Sequence, residues 1–309
     1  MDAVVSLGYL AAVTNTIRLG SGIMQISART PAATALTALS LAQISNDRFS
    51  LGLGVSGPQV VEGLHGMPFA HPLGRLREYV EIVRMGLRGE RISYQGEHYV
   101  LPRPGGEGKA LRPSIPPRPE LPIHLATLGP KSLELTGELA DGWIGTSFIP
   151  EQGHIMLDRI RAGAEKAGRN FGDIEIQVNA SVAIDENVDK LIENAKMQMA
   201  FSLGAMGSAD SNFYNDAYSR AGFADAAAKV QELWVNNERE AAVAAVPEEM
   251  VLAAYIIGTE DMVRDRIRAF KDAGVTTLRL GARGKTAADQ ISHLERTIDV
   301  IKSVTASSD

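Results

Sequence analysis

Gly52-Leu53-Gly54-Val55-Ser56-Gly57 closes an apolar run with G-x-G-x-x-G spacing, the pattern that lets a backbone turn wrap a dinucleotide pyrophosphate. That chemistry also needs a second strand soon afterwards, ending in an acidic residue. Here the next strand-like run begins only at Pro122, beyond a proline-rich insertion, and no such acid follows. The glycines fit better a close backbone approach to a flat ligand at a strand end. A second turn, Ala126-Thr127-Leu128-Gly129-Pro130-Lys131-Ser132, joins small residues to a helix start with Pro early in it. Free N–H groups and the helix dipole suit a phosphate there. Every strand-to-helix turn has that property, and Lys131 is as readily a solvated first-turn lysine. Ser21-Gly22-Ile23-Met24, with Gln25 and Arg29 beyond, puts a glycine inside a strand, which marks a bulge, a ligand approach or plain packing. Arg279 and Arg283 flank the last strand-like run and could meet an anion, or be solvated or ion-paired.

Other chemistries lack their residues. The histidines at 65, 71, 98, 124, 154 and 293 make no H-E-x-x-H or paired metal spacing. His124 alone is placed to point inward, and a satisfied core histidine is the simpler reading. No G-x-S-x-G elbow and no P-loop occurs, which leaves hydrolase and kinase readings unsupported. With no cysteine, disulfides, thiolate metal sites and cysteine nucleophiles are excluded.

The elements that must position these turns alternate along the chain. Short apolar runs at Ile17–Met24, Phe49–Val55, Pro122–Thr127, Gly142–Ser147, Ile174–Ile184 and Thr276–Gly281 read as strands. Helical periodicity spans 2–14, 32–45, 75–88, 131–140, 153–168, 187–201, 260–273 and 287–304. This order predicts an α/β fold of the (β/α)8 barrel type with six parallel strands visible and the first two lacking. One domain, 1–309, is expected, with insertions at about 89–121 and 202–252. The first holds a hairpin at Ile92–Tyr99 and a proline-rich loop. The second, beginning GAMGSADSNFYNDAYSRAGF, is expected to cap the barrel mouth. Asp141-Gly142-Trp143 opens a strand at the bottom of the barrel and reads as structural.

Net charge is −6 with no basic tract, which argues against nucleic acid. No apolar run reaches the length of a membrane span and no signal peptide is visible, so a cytoplasmic protein is expected.

Taken together, IRLGSGIMQISARTPA, FSLGLGVSGPQVVEGLHG, ISYQGEHYVL, PIHLATLGPKSLELTGELADGW and MGSADSNFYNDAY resemble the luciferase-like flavin and deazaflavin oxidoreductases. The closer likeness is to the branch that uses coenzyme F420, and it covers essentially the whole chain in order. The resemblance implies a (β/α)8 barrel, usually dimeric, with the cofactor ring across its C-terminal mouth. It implies a cis peptide at Gly22–Ile23 behind the ring, cofactor contacts from Gln25, Val55 and Ser56, and a phosphate turn at Thr127, Leu128 and Gly129. Thr146 matches a substrate-side position.

The departures are informative. The sugar-phosphate dehydrogenase branch carries a glutamate base where this chain has Gly57, and a phosphate-binding lysine where Phe148 or Ile149 stands, so that activity is not expected. The family's other acid/base group ends strand two, which the chain lacks. The resemblance implies strand one, helix one and strand two, roughly 45 residues, ahead of Asp2. No residue is singled out as a general acid or base; Tyr214 is a candidate, or an aromatic packing over the mouth. The expected activity is hydride transfer between F420 and an organic small-molecule substrate, in a homodimer, with no metal. The alternatives are an FMN-dependent monooxygenase of the same superfamily, and a truncated non-catalytic cofactor-binding or dimer-partner protein.

Overall fold

The computed structural model describes residues 2–206 and 212–306. The stretch 207–211, part of the second insertion singled out above, lies outside the described residues. Two compact units divide the chain: Met1–Ile144 with Arg159–Ile174, and Gly145–Asp158 with Glu175–Asp309.

The first unit opens on α1 (Ala3–Val13), capped by the Asp2 carboxylate, which accepts from the Val4 and Val5 N–H groups. Then come β1 (Leu19–Gly20), β2 (Met24–Gln25), α2 (Pro31–Ile44), β3 (Phe49–Gly54), α3 (Pro58–Gly63) and α4 (Pro72–Leu87). The hairpin strands β4 (Tyr94–Gln95) and β5 (Val100–Leu101) follow, then β6 (Ile123–Ala126), α5 (Pro130–Leu139) and β7 (Gly142–Gly145). Helix α6 (His154–Lys166) returns to this unit from Arg159 onward.

All pairs outside the hairpin are parallel here: β1 and β2 both lie on β3, β3 on β6, and β6 on β7. Leu51, Leu53, Ile123 and Leu125 are fully buried, the continuous burial of parallel strands covered on both faces. The predicted strand Ile17–Met24 is split into β1 and β2, because a bulge at Ser21–Ile23 breaks its pairing with β3. Helix α5 is locked against α6 backbone to backbone. A Cβ on Gly137 would lie 1.9 Å from the Ile160 carbonyl oxygen, and one on Gly163 the same 1.9 Å from that of Glu134.

The hairpin hangs on one buried acid. Glu78, 8% exposed, accepts from the N–H groups of Glu97 (2.8 Å), His98 (2.9 Å) and Tyr99 (2.8 Å). Burial alone would raise its pKa; the three backbone donors outweigh that and hold the carboxyl below the ordinary glutamate range. A folded-state pKa below the unfolded one adds stability above the unfolded value, near about 4.3, that is lost as pH falls through the folded value. Glu78→Gln should therefore cost about 1–3 kcal/mol in urea denaturation at neutral pH. The gap from wild type should close on acidification below about pH 4.

The second unit carries β8 (Glu175–Ala180), β9 (Val182–Ile184), α7 (Val188–Ala205), α8 (Phe213–Tyr218), α9 (Ala224–Val235), α10 (Arg239–Ala244) and α11 (Glu248–Ala254). It ends with β10 (Ile256–Gly258), α12 (Glu260–Asp272), β11 (Thr277–Leu280) and α13 (Ala287–Ala306). The predicted strand Ile174–Ile184 changes partner at Ser181: β8 pairs in parallel with β11, and β9 with β10. The described part of the second insertion is mostly helical, and its side chains Val230, Met250 and Val251 are fully buried with Met199 and Leu203 of α7. Among the described residues no helix is long and apolar enough to cross a membrane.

Candidate functional site

In the first unit the C-terminal strand ends carry the residues in question. Register sets Gln25 of β2 opposite Gly54 of β3, and Gly54 opposite Ala126 of β6. Gln25, Val55–Ser56 and Thr127–Gly129 therefore emerge from one edge of three adjacent strands, spaced about 4.8 Å apart.

The Gly22–Ile23 bond is cis, as the resemblance implies. The bulge it belongs to is fastened to β3 by Ser21, whose buried hydroxyl donates to the Gly52 carbonyl (2.9 Å) and accepts from the Gly52 N–H (2.8 Å). A Cβ on Gly52 would sit 2.0 Å from the Ser21 carbonyl oxygen, and one on Gly54 2.3 Å from Ile23 Cδ1. The glycine spacing thus makes room for the chain's own bulge. Beyond it, Ser56 holds a left-handed conformation (φ 64°) and Gly57 caps the six-residue α3. The next strand to pair with β3 is β6, reached only after α3, α4 and the hairpin.

Gln25 is held from the side: its Oε1 lies 2.7 Å from His65 Nε2, in the turn after α3. Thr127 is buried, and two groups fix it. Thr136 donates its hydroxyl to the Ser132 carbonyl (3.0 Å) and so accepts from the Thr127 hydroxyl (2.7 Å), while Trp143 Nε1 donates to the Thr127 carbonyl (2.9 Å). With its hydroxyl hydrogen engaged inward, Thr127 acts as a strut for the turn. Gly129 is the N-cap of α5 and brings no capping side chain, so no cap side chain occupies the first-turn N–H groups. Ser132 instead donates to the Gly129 carbonyl at 2.8 Å.

At the opposite strand ends Asp141 accepts from Ile123 N–H (2.8 Å) and from Arg84 (2.5 Å), a structural role as its position predicts. His124 is buried in β6.

The second unit holds an open cavity of about 540 Å³ at the C-terminal ends of β8 and β11, lined by Thr146, Asn179, Tyr214, Tyr218, Tyr255 and Arg279 among others. From the insertion, Tyr214 and Tyr218 of α8 line this cavity. Burial raises the pKa of Tyr214 and of Tyr218, and pushes Tyr255 up to about 12. These phenols remain protonated donors at neutral pH. Burial also lowers the pKa of Arg279, which stays charged.

Sequence reasoning missed Ser21 as the fastening, His65 as the holder of Gln25, and Asn179, Tyr218 and Tyr255 as cavity walls. A hydroxyl beside Gly22 was the available sign of the first; the others are long-range pairings with no local signal.

The chain matches the luciferase-like monooxygenase family over residues 1–277 and belongs to it. A Mycobacterium tuberculosis protein named as a coenzyme F420-dependent oxidoreductase is 38% identical over 285 residues, covering 90% of this chain and 82% of the relative. The 5,10-methylenetetrahydromethanopterin reductase of Methanolobus tindarius is 30% identical, covering 91% of this chain and 82% of its own length. Among solved structures, the coenzyme F420-dependent tetrahydromethanopterin reductase of Methanopyrus kandleri superposes with a TM-score of 0.77 at 25% identity, covering 97% of this chain and 86% of that one. The α/β barrel-type fold expected from the strand order is the fold these proteins share.

Proposed function

We propose that the chain is a coenzyme F420-dependent oxidoreductase that moves a hydride between the deazaflavin and a small organic molecule, as a cytoplasmic homodimer. The observation that carries this reading is the first unit's strand edge, where a fastened bulge, a fixed amide and an uncapped helix start stand side by side. When bound, the deazaflavin supplies the carbon that gives or takes the hydride.

The chain's own groups divide the rest. The N–H groups at Gly129 and the first turn of α5 hold the cofactor phosphate, braced from behind by Thr127 and Trp143, with Leu128 in the same turn. The bulge at Gly22 and Ile23 supports the ring, and Ile23 packs over Gly54 so that it cannot sink into β3. Gln25, oriented by His65, would hold the cofactor's polar atoms, with Val55 and Ser56 on the neighbouring strand end. Thr146 lies on the substrate side, and the protonated Tyr214 and Tyr255 donate hydrogen bonds to substrate oxygen. Preorganised donors of this kind orient a substrate without taking up a proton themselves.

The test is anaerobic. Purified chain is given oxidised or reduced F420 with panels of alcohols, ketones and enoates, and the deazaflavin absorbance is followed. Turnover that falls about tenfold or more in His65→Leu, through loss of Gln25 orientation, supports the reading. A chain that instead holds FMN and consumes oxygen with a flavin reductase overturns it.

A further inference from the structure

The second unit's cavity has a charge that the rest of the chain does not. The whole protein carries −6, yet among the described residues this cavity is lined by Arg279 and Arg283 and by no carboxylate. Arg283 is exposed and donates to Ser181 Oγ at 3.2 Å. Arg279 differs. It stands on β11, half-buried, and among the described residues it makes no hydrogen bond and no ion pair. Five other arginines of the second unit are engaged, Arg264 with Glu260, Arg266 with Glu151, Arg268 with Asp265, Arg296 with Glu260, and Arg239 over the Trp234 ring, while Arg220 interacts with Asp216.

A guanidinium drawn part-way out of water with no counter-ion is costly, and a bound anion removes that cost. Its planar fork matches a carboxylate or sulfonate in two-point contact. Asn179 is the register partner of Arg279 across the β8–β11 pairing, and both line the cavity. The other walls suit a flat, unsaturated body: Tyr214, Tyr218 and Tyr255 line the cavity with aromatic side chains, and their protonated hydroxyls carry no repelling charge.

We propose that Arg279, with Asn179 beside it, anchors the carboxylate of an organic-acid substrate whose flat apolar body lies among the three tyrosines. This rests on taking the second unit's cavity as the substrate side of the proposed enzyme. The same guanidinium could instead receive a carboxylate from the cofactor's own glutamyl tail, and the experiment separates the two.

Benzoate and its neutral counterpart benzamide are titrated calorimetrically into the cofactor-free full chain, wild type and the variants Arg279→Gln, Arg279→Lys and Arg283→Gln. Benzoate should bind at least about tenfold more tightly than benzamide. Arg279→Gln should remove about tenfold or more of that affinity and leave benzamide unchanged, Arg279→Lys should keep part of it, and Arg283→Gln should shift it less than about threefold. Binding of F420 and of its ring-and-ribityl fragment, which lacks phosphate and tail, is read in parallel. Arg279→Gln should leave both unchanged. Equal binding of benzoate and benzamide to wild type, no benzoate binding at millimolar concentration, or an indifferent Arg279→Gln overturns the proposal. So does a loss of F420 affinity in Arg279→Gln with the fragment unaffected, which assigns the arginine to the tail. Failure of wild type to bind F420 at all strikes the proposed function instead.

Discussion

Gly52→Ala should unfold or severely loosen the first unit, at a cost of at least about 3 kcal/mol. The added methyl would lie 2.0 Å from the Ser21 carbonyl oxygen and 2.9 Å from Ile144 Cδ1. Ile144 can rotate; the Ser21 backbone cannot retreat, because its hydroxyl and the Gly52 amide and carbonyl hold each other in both directions. Relief must come from parting the bulge from β3, which breaks a buried polar pair and displaces Gly22 and Ile23 together. Gly54→Ala is the control. Its methyl meets the end of a side chain, Ile23 Cδ1 at 2.3 Å, so the cost should be smaller, about 1–3 kcal/mol, and Ile23→Ala should relieve most of it in the double variant. Urea denaturation of the four proteins checks the order. Equal stability of Gly52→Ala and wild type would mean that the bulge is not pinned where the glycine spacing puts it.

Gly129→Asp should separate stability from binding. The position has extended backbone (φ −76°, ψ 150°), and a Cβ there meets only Ser132 Oγ, at 3.5 Å, so a side chain fits without strain. An aspartate at the N-cap occupies the first-turn donors of α5 and complements the helix dipole, which should stabilise the fold by a few tenths to about 1 kcal/mol. The same carboxylate excludes and repels a cofactor phosphate. Cofactor affinity should fall by about 10- to 100-fold, the loss of one or two charge-assisted hydrogen bonds. A melting curve and a cofactor titration on one sample read both signs. Affinity that survives the aspartate would place the phosphate elsewhere.

Much of the fold was legible because its strands are long apolar runs buried on both faces. Phe49–Val55 differs from β3 by one residue, and Pro122–Thr127 from β6 by one at each end. What failed was short or depended on pairing. Strand β10 is three residues, too few for any period to show, and follows an alanine-rich helical stretch. Helix α3 is six residues, although Gly57-Pro58 was a start signal of the kind recognised at Gly129-Pro130. The break at Ser21–Ile23 is a bulge against a single neighbour, β3, and that at Ser181 a change of neighbour, neither of which one segment can reveal. The candidate site divides the same way. Its main-chain features, a glycine bulge and an uncapped helix start, leave local marks in sequence. Its side-chain partnership of Gln25 with His65 and its register pairing of Asn179 with Arg279 join residues far apart in the chain and exist only once the sheet has formed.

The central claim is that the first unit's strand edge is built for a deazaflavin. Titration of the cofactor-free chain with F420 and with FMN under identical conditions, followed by calorimetry, tests it most directly. The account predicts saturable F420 binding, at least about tenfold tighter than FMN and weakened by Gly129→Asp. Binding of FMN with equal or greater affinity, or F420 binding indifferent to Gly129→Asp, would contradict it.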